Sequence, residues 1–427
     1  MKKAILIFSA FVILLFVLIK GGELWLELNF EKTINEDENR AYDITYSDLD
    51  FHTLFKGVTL EKVAIVPLRI DSSTYVKGEV EYATIKGLVW LELMFNGRLN
   101  IEEVSFEKPV FEVNIGTKKN KKNSGQGIQS LFGDILSRGD LSSFNIYHGK
   151  VIIKEPDGNI KGRIRNIDIK ASEIETDSIK LQHIIPFRMG NLNVTIDSAM
   201  FQLNEFTQIN LGDIHYELKD EVLSMHNFSI GFTEDWVKVS KRIKVQKDLI
   251  SAHVKELKLI ELATSSEFYS NLDLVAKKLE VNGLDLKVRK NKNFQRPPDT
   301  YKPMFKGMVD LIPIQLDVDS ILITDSQISY EELGKDKKHS AEISFRKIEG
   351  SITGLTTFEE EQKQRQEFVA NLNAELYNSG KMKIKLTVPY EEDRIELISD
   401  MGSMPMEDFN ALAIPMAAVQ IDSGQLK

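Results

Sequence analysis

Strict alternation of apolar and polar residues, repeated in short segments from about residue 40 to the C-terminus, constrains this chain more than any other feature. In Lys381–Val388, the apolar residues Met382, Ile384, Leu386 and Val388 share one parity, and Lys381, Lys383, Lys385 and Thr387 share the other. Successive side chains of a strand project to opposite faces, so this segment reads as a strand with one apolar and one wet face. The pattern recurs at Phe111–Ile115, Leu192–Ile196, Ile167–Ile169, Leu284–Val288 and Ile343–Phe345, with Gly, Asn, Asp or Ser between the segments. The expectation is a mainly β chain that builds one long antiparallel sheet or a few of them. What covers the apolar face is the question this leaves.

At 427 residues the chain has room for two or three ordinary domains, although all-β chains often run long as one. Its net charge of −10 argues against a nucleic-acid partner, because binding phosphates requires a basic surface. There is no cysteine, which removes disulfides, thiol catalysis, thiolate metal sites and a lipoprotein anchor.

The N-terminus is more specific. After Met1-Lys2-Lys3 comes an uncharged run made of Ala4, Ile5, Leu6, Ile7, Phe8, Ser9, Ala10, Phe11, Val12, Ile13, Leu14, Leu15, Phe16, Val17, Leu18 and Ile19, closed by Lys20-Gly21-Gly22. It is short for a spanning helix, which takes about 20 residues, but Leu24, Trp25, Leu26 and Leu28 extend it at the far interface. A cleaved signal needs small residues before the cut, and Val17–Gly22 offers no good site, so the reading favours an uncleaved signal anchor. Lys2 and Lys3 then stay in the cytoplasm and the rest is exported.

Six stretches follow: the anchor with a helical exit (1–41), a β region (42–116), a basic loop leading to a short amphipathic helix (117–140), β repeats (141–290), a Pro-rich junction (291–303) and further β repeats (304–427). Within 117–140, Ile128, Leu131, Phe132, Ile135 and Leu136 have the spacing of one helical face. That helix suits a position across the open sheet or plugging its end better than a membrane surface, since it carries little positive charge. Phe144–Ile153 and Ile321–Tyr330 each read as strand, two-residue turn and strand, with turns at His148-Gly149 and Asp325-Ser326. Repeats of this kind imply a stacked architecture.

No chemistry converges. The seven histidines never take a metal-binding spacing. Ser124–Gly127 lacks the strand and the Lys-Ser/Thr ending of a phosphate loop, and Gly350–Gly354 has its Ser one place early for a nucleophile elbow. Asp317–Ser320 lacks the Gly and distal Glu of a calcium loop. The reading is therefore of a protein that is not an enzyme and has no cofactor.

Across nearly its whole length the chain resembles the AsmA-like/TamB group of bacterial envelope proteins, within the repeating-β-groove, bridge-like lipid-transfer class. The resemblance lies in the anchor followed by Tyr42–Tyr46, Phe55–Leu60, Ala83–Trp90, Gly97–Val104 and Glu107–Pro109, and in Met404–Asn410, Ile414-Pro415 and Val419–Leu426 near the C-terminus. It implies an N-terminal transmembrane helix followed by an elongated, curved antiparallel β-sheet groove with a few short helices. It further implies a single-pass protein of the Gram-negative inner membrane, with the N-terminus cytoplasmic and the β region periplasmic. Phospholipids or other acyl lipids, the inner membrane and other envelope proteins would be its partners, in support of outer-membrane biogenesis. Members that bridge both membranes are usually much longer, so the resemblance implies the architecture more firmly than a complete bridge.

The groove-lining residues on this reading are Phe111, Val113, Ile115, Leu192, Val194, Ile196, Ile321, Ile323, Met382, Ile384, Leu386 and Val388. Without the resemblance, the same residues read as the dry core of a closed barrel or sandwich. A scaffold with a sealed β core is the alternative to lipid transfer. An outer-membrane barrel fits less well, because the aromatics are scattered and the chain ends in Leu-Lys.

Overall fold

The computed structural model describes residues 20–87, 101–117, 141–175, 188–263, 273–297 and 305–426, apart from 22–23, 25–26, 33–34, 36–39, 41, 53–56, 69, 71–73, 311, 313–314, 336–338, 378 and 393. The anchor run 4–19, the basic loop and amphipathic helix at 118–140, and residues 298–303 of the Pro-rich junction lie outside the described residues. Among the described residues no helix is long and apolar enough to cross a membrane. Residues 27–32 are helical, and Phe30, fully buried, packs near the ring of Tyr46 with centroids 6.4 Å apart.

The described strands fall into two units that divide between Asp197 and Ser198, inside the stretch 141–290 that the sequence reads as one run of repeats. The first unit contains β1 (Tyr42–Thr45), β2 (Asp48–His52), β3 (Gly57–Pro67), β4 (Tyr75–Lys86), β5 (Ile101–Glu107), β6 (Val110–Asn114), β7 (Leu141–Lys154), β8 (Ile160–Glu175) and the start of β9 (Arg188–Gln202). β1 and β2 pair with β3, β3 with β4, and β4 with β5 and β6, all antiparallel. β7 then runs parallel to β5 and β6 and antiparallel to β8.

The second unit contains the end of β9, β10 (Thr207–Leu211), β11 (Ile214–Glu217), β12 (Val222–Phe232), β13 (Asp248–Leu262), β14 (Leu274–Asn291), β15 (Leu316–Leu333), β16 (Ser340–Thr356), β17 (Glu367–Leu376), β18 (Gly380–Pro389) and β19 (Glu396–Met401). A small hairpin of β20 (Met404–Pro405) and β21 (Gln425–Leu426) closes the chain. Its pairings are antiparallel from β12 to β14 and from β15 to β19, with β14 and β15 parallel. The expectation of purely antiparallel pairing is thus corrected to a mixed arrangement. The reason is loop length: the parallel joins follow the two long connections, 115–140 and 292–315, and only a long connection lets a strand restart from the end where its predecessor began.

Among the described residues this unit has four α-helices: α1 (Trp236–Ile243), α2 (Phe305–Val309), α3 (Glu359–Arg365) and α4 (Asn410–Ala417). Asp235 caps α1 by accepting from the N–H groups of Val237 and Lys238, Lys241 and Arg242 occupy its last turn, and Lys244 ends it in the left-handed conformation. α3 is tied to β15 by Arg365, whose guanidinium lies 2.8 Å from Asp317 and 3.4 Å from Asp319.

The two segments expected to fold as strand, turn and strand are continuous strands, a second correction. His148 in β7 and Asp325 in β15 have φ of 56° and 45°, and the pairing register shifts at both places. They are β-bulges inside long strands, and His and Asp are among the side chains that tolerate this left-handed conformation. Asn166 in β8 and Lys347 in β16, on the antiparallel partners of those strands, also have positive φ, 52° and 47°.

The bulges change the meaning of the alternation. In β3, Val58 and Leu60 are buried, Lys62 has φ 49°, and Val63 and Ile65 are buried again. The buried parity steps by three across the bulge instead of two, so one apolar face continues past it. The same step separates Ile146 from Gly149, Ile164 from Ile167, Met225 from Phe228, Val281 from Leu284 and Ile323 from Ser326, with a positive-φ residue in each interval.

Candidate functional site

The pairing registers of the second unit line up apolar side chains from strand to strand. One row runs Tyr216, Leu223, Leu259, Leu279, Ile321, Ile352, Ala370, Leu386. The next runs Ile214, Met225, Leu257, Val281, Ile323, Gly350, Leu372, Ile384. Each row crosses the same series of strands, β11 to β18. At about 4.8 Å per strand, a row is about 34 Å long, more than the roughly 15 Å an acyl chain occupies in half a bilayer.

The rows differ in exposure. In the first, Tyr216, Leu259, Ile321 and Ala370 are buried, whereas every residue of the second is half-buried. Facing sheets in a sandwich interdigitate and bury their inner residues, so an apolar row that stops at half-burial still has access to solvent. The opposite face carries Ser224, Lys258, Glu280, Ser351, Asn371 and Lys385, with Val222, Ile260, Leu322 and Val369 as apolar exceptions.

Over β16 to β18 both ends of this face are covered. At one, Val309 of α2 packs with Phe368, Val388 and Tyr390, with Ile352, Leu355 and Leu386 around them. Tyr390 Oη donates to Gly354 O and accepts from Thr356 N, both at 2.8 Å, and burial pushes its phenol up to about 12. A cavity of about 800 Å³ opens beside it, lined by Val309, Ile312, Phe358, Gln362 and Tyr390 among others. At the other end Met404, fully buried, packs with Leu376 and Tyr377, and Phe345, Met382, Phe409 and Leu426 surround them.

In the first unit a comparable row runs Ile44, Ile65, Gly78, Phe111, Val151, Ile164. Phe111 is buried over Gly78, where a Cβ would lie 2.9 Å from its ring. Val113 pairs with Val76 and Ile153, Leu192, Val194 and Ile196 are half-buried on β9, and Ile115, just beyond β6, is exposed.

The predicted lining residues therefore fall into two groups. Ile321, Ile323, Met382, Ile384, Leu386 and Val388 share the face of the second unit, while Phe111, Val113, Leu192, Val194 and Ile196 lie on strands that begin in the first. Val388 is fully buried and belongs to the covered end. Leu223, Met225, Leu257, Leu259, Leu279 and Val281 form the middle of the rows and were absent from the sequence-based set. Their signal was a spacing of three across each bulge, which interrupts a search for strict alternation. Among the described residues no group of His, Asp and Glu converges to hold a metal ion.

The chain matches no protein-family model, and no curated protein is significantly similar to it. What the geometry defines is a mainly β protein whose second unit carries a continuous, partly accessible apolar face.

Proposed function

We propose that this chain is a membrane-anchored lipid-binding or lipid-transfer protein of the AsmA-like/TamB kind, acting in a Gram-negative envelope with its β region in the periplasm. The observation that carries the reading is the row from Ile214 to Ile384, apolar in every member but Gly350, half-buried throughout and long enough for an acyl chain. Each methylene removed from water there contributes about 0.8 kcal/mol, and near-identical neighbouring positions let a chain slide with little change in free energy. The polar opposite face stays in water, and the work requires no catalytic group. The anchor at residues 4–19 would hold the β region at the inner membrane, where it would meet phospholipid.

Native mass spectrometry of the full chain, extracted in mild detergent from its own envelope, tests this. Co-purifying phospholipid in the wild type that is lost in a folded Ile384→Asp variant supports the reading. A folded wild type free of lipid overturns it in favour of a scaffold with a sealed face.

A further inference from the structure

At the end of the second unit opposite α2, the apolar face finishes in charge. Ile250, Val288 and Tyr330 share one row across β13, β14 and β15, and the next row outward is Asp248, Lys290 and Glu332. Lys290 Nζ lies 3.1 Å from Asp248 Oδ1, and Lys292 Nζ lies 2.7 Å from Glu332 Oε1. Tyr330 donates its hydroxyl to Glu332 Oε2 at 2.8 Å. The Glu332 side chain is only 10% exposed and that of Lys290 only 17%. Burial, followed by the Glu332 carboxylate, raises the Tyr330 phenol well above its usual range, so it stays a donor.

Ion pairs that only finish a sheet in solvent have no need of this burial, since exposed lysines and carboxylates do so at no desolvation cost. This cluster also borders a cavity of about 530 Å³ under α1, whose walls include Phe206, Phe232, Val239, Ile243, Asp248 and Ile250. That size is usual for a small-ligand site, and its walls combine these apolar side chains with Asn204, Glu205, Thr207, Lys247 and Asp248. Ile250, at the junction of cavity and cluster, is 51% exposed.

We propose that Asp248, Lys290, Lys292, Tyr330 and Glu332 form a headgroup site for a zwitterionic, amine-bearing phospholipid whose acyl chains lie on the adjoining apolar face. This inference rests on the lipid-binding reading and narrows its substrate class. The two lysines and two carboxylates sum to zero, which matches a phosphodiester joined to an ammonium. The lipid phosphate takes the lysines and its ammonium takes the carboxylates, so each internal pair is exchanged for a charge-assisted hydrogen bond of the same kind. A headgroup with phosphate and no ammonium would satisfy the lysines and leave Glu332 buried without a cation, which selects against it.

The test incubates the detergent-purified full chain with vesicles of equal phosphatidylethanolamine and phosphatidylglycerol and measures the ratio of the two lipids bound. The wild type is expected to favour the amine lipid by about ten-fold, and Glu332→Gln to bring the ratio near one. Asp248→Asn, which removes the other carboxylate assigned to the ammonium and leaves Glu332 paired with Lys292, is expected to lower the ratio in the same direction should Glu332→Gln fail to fold. Excess water-soluble glycerophosphoethanolamine is expected to leave the lipids in place; if it displaces them, the site is one for a free headgroup and the proposal falls. Bound lipid without preference, or a preference unchanged in both variants, overturns the headgroup site and leaves the lipid-binding reading standing. A wild type that takes up neither lipid overturns both.

Discussion

Lys255 Nζ lies 2.7 Å from Asp325 Oδ2, reaching from β13 to β15 across Gly283 of the strand between them. A Cβ on Gly283 would lie 2.5 Å from Lys255 Cδ, and Gly283 has φ of 68°. Three adjacent strands therefore bend at one line, with the left-handed residues Gly283 and Asp325 in β14 and β15 and the Lys255 side chain laid over them. The ion pair is exposed and contributes little, so the backbone conformation, not the charge, sets the bend. Gly283→Ala is expected to lower stability by about 1–2 kcal/mol, whereas Lys255→Ala changes it by less than about 0.5 kcal/mol. Urea unfolding midpoints of the two variants check this, and equal effects would refute the assignment.

Gly350 makes a sharper case. It has φ of 151°, and a Cβ there would lie 2.1 Å from the backbone oxygen of Asn371 on β17. Backbone cannot rotate out of the way as a lysine side chain can. Gly350→Ala is expected to cost about 3 kcal/mol or more and to weaken the pairing of β16 with β17. Hydrogen exchange at the amides of Asn371 and Leu372 should rise above that of the wild type, while the amides of β3 and β4 serve as the control.

The strands themselves were legible because burial on one face writes itself as alternation, and Lys381–Val388 pairs along its whole length with Glu367–Leu376. The shared face of Met382, Ile384, Leu386 and Val388 on β18 followed from the same pattern. The bulges were not legible as bulges: His148-Gly149 and Asp325-Ser326 carry the residue types of a turn, and only pairing with neighbouring strands on both sides holds such a residue inside one. Parallel pairing of β14 with β15 was hidden for another reason. A strand has the same apolar parity whichever way its neighbour runs, so direction depends on a connection whose path the sequence does not state.

Tyr390 predicts a pH dependence. Burial raises its phenol from the ordinary 10.0 to about 12, so the fold favours the neutral form. The stability that this contributes is complete below about pH 10 and is lost as the pH rises from there through about 12. Tyr390→Phe removes the donor to Gly354 O and the acceptor for Thr356 N, and should cost about 1–3 kcal/mol at neutral pH. It should also flatten part of the alkaline loss of stability between pH 10 and 12. Denaturant midpoints measured at neutral pH and across that window separate the two effects, and an unchanged alkaline slope would contradict the assignment.

The most discriminating pair of substitutions lies on one strand and one face. Val388 and Ile384 are both apolar members of β18, but Val388 is fully buried against Val309 and Phe368, whereas Ile384 is half-buried in the accessible row. A carboxylate at residue 388 would replace a side chain fully buried among Val309, Phe368 and Tyr390, out of reach of solvent, so Val388→Asp should unfold the second unit or cost at least about 4 kcal/mol. At residue 384 the new carboxylate reaches water through the open side, and Ile384→Asp should cost no more than about 2 kcal/mol. Far-UV circular dichroism and thermal unfolding of both variants decide the matter. Equal destabilisation would mean that the row from Ile214 to Ile384 is sealed like the end at Val388, and a track for acyl chains would have no opening.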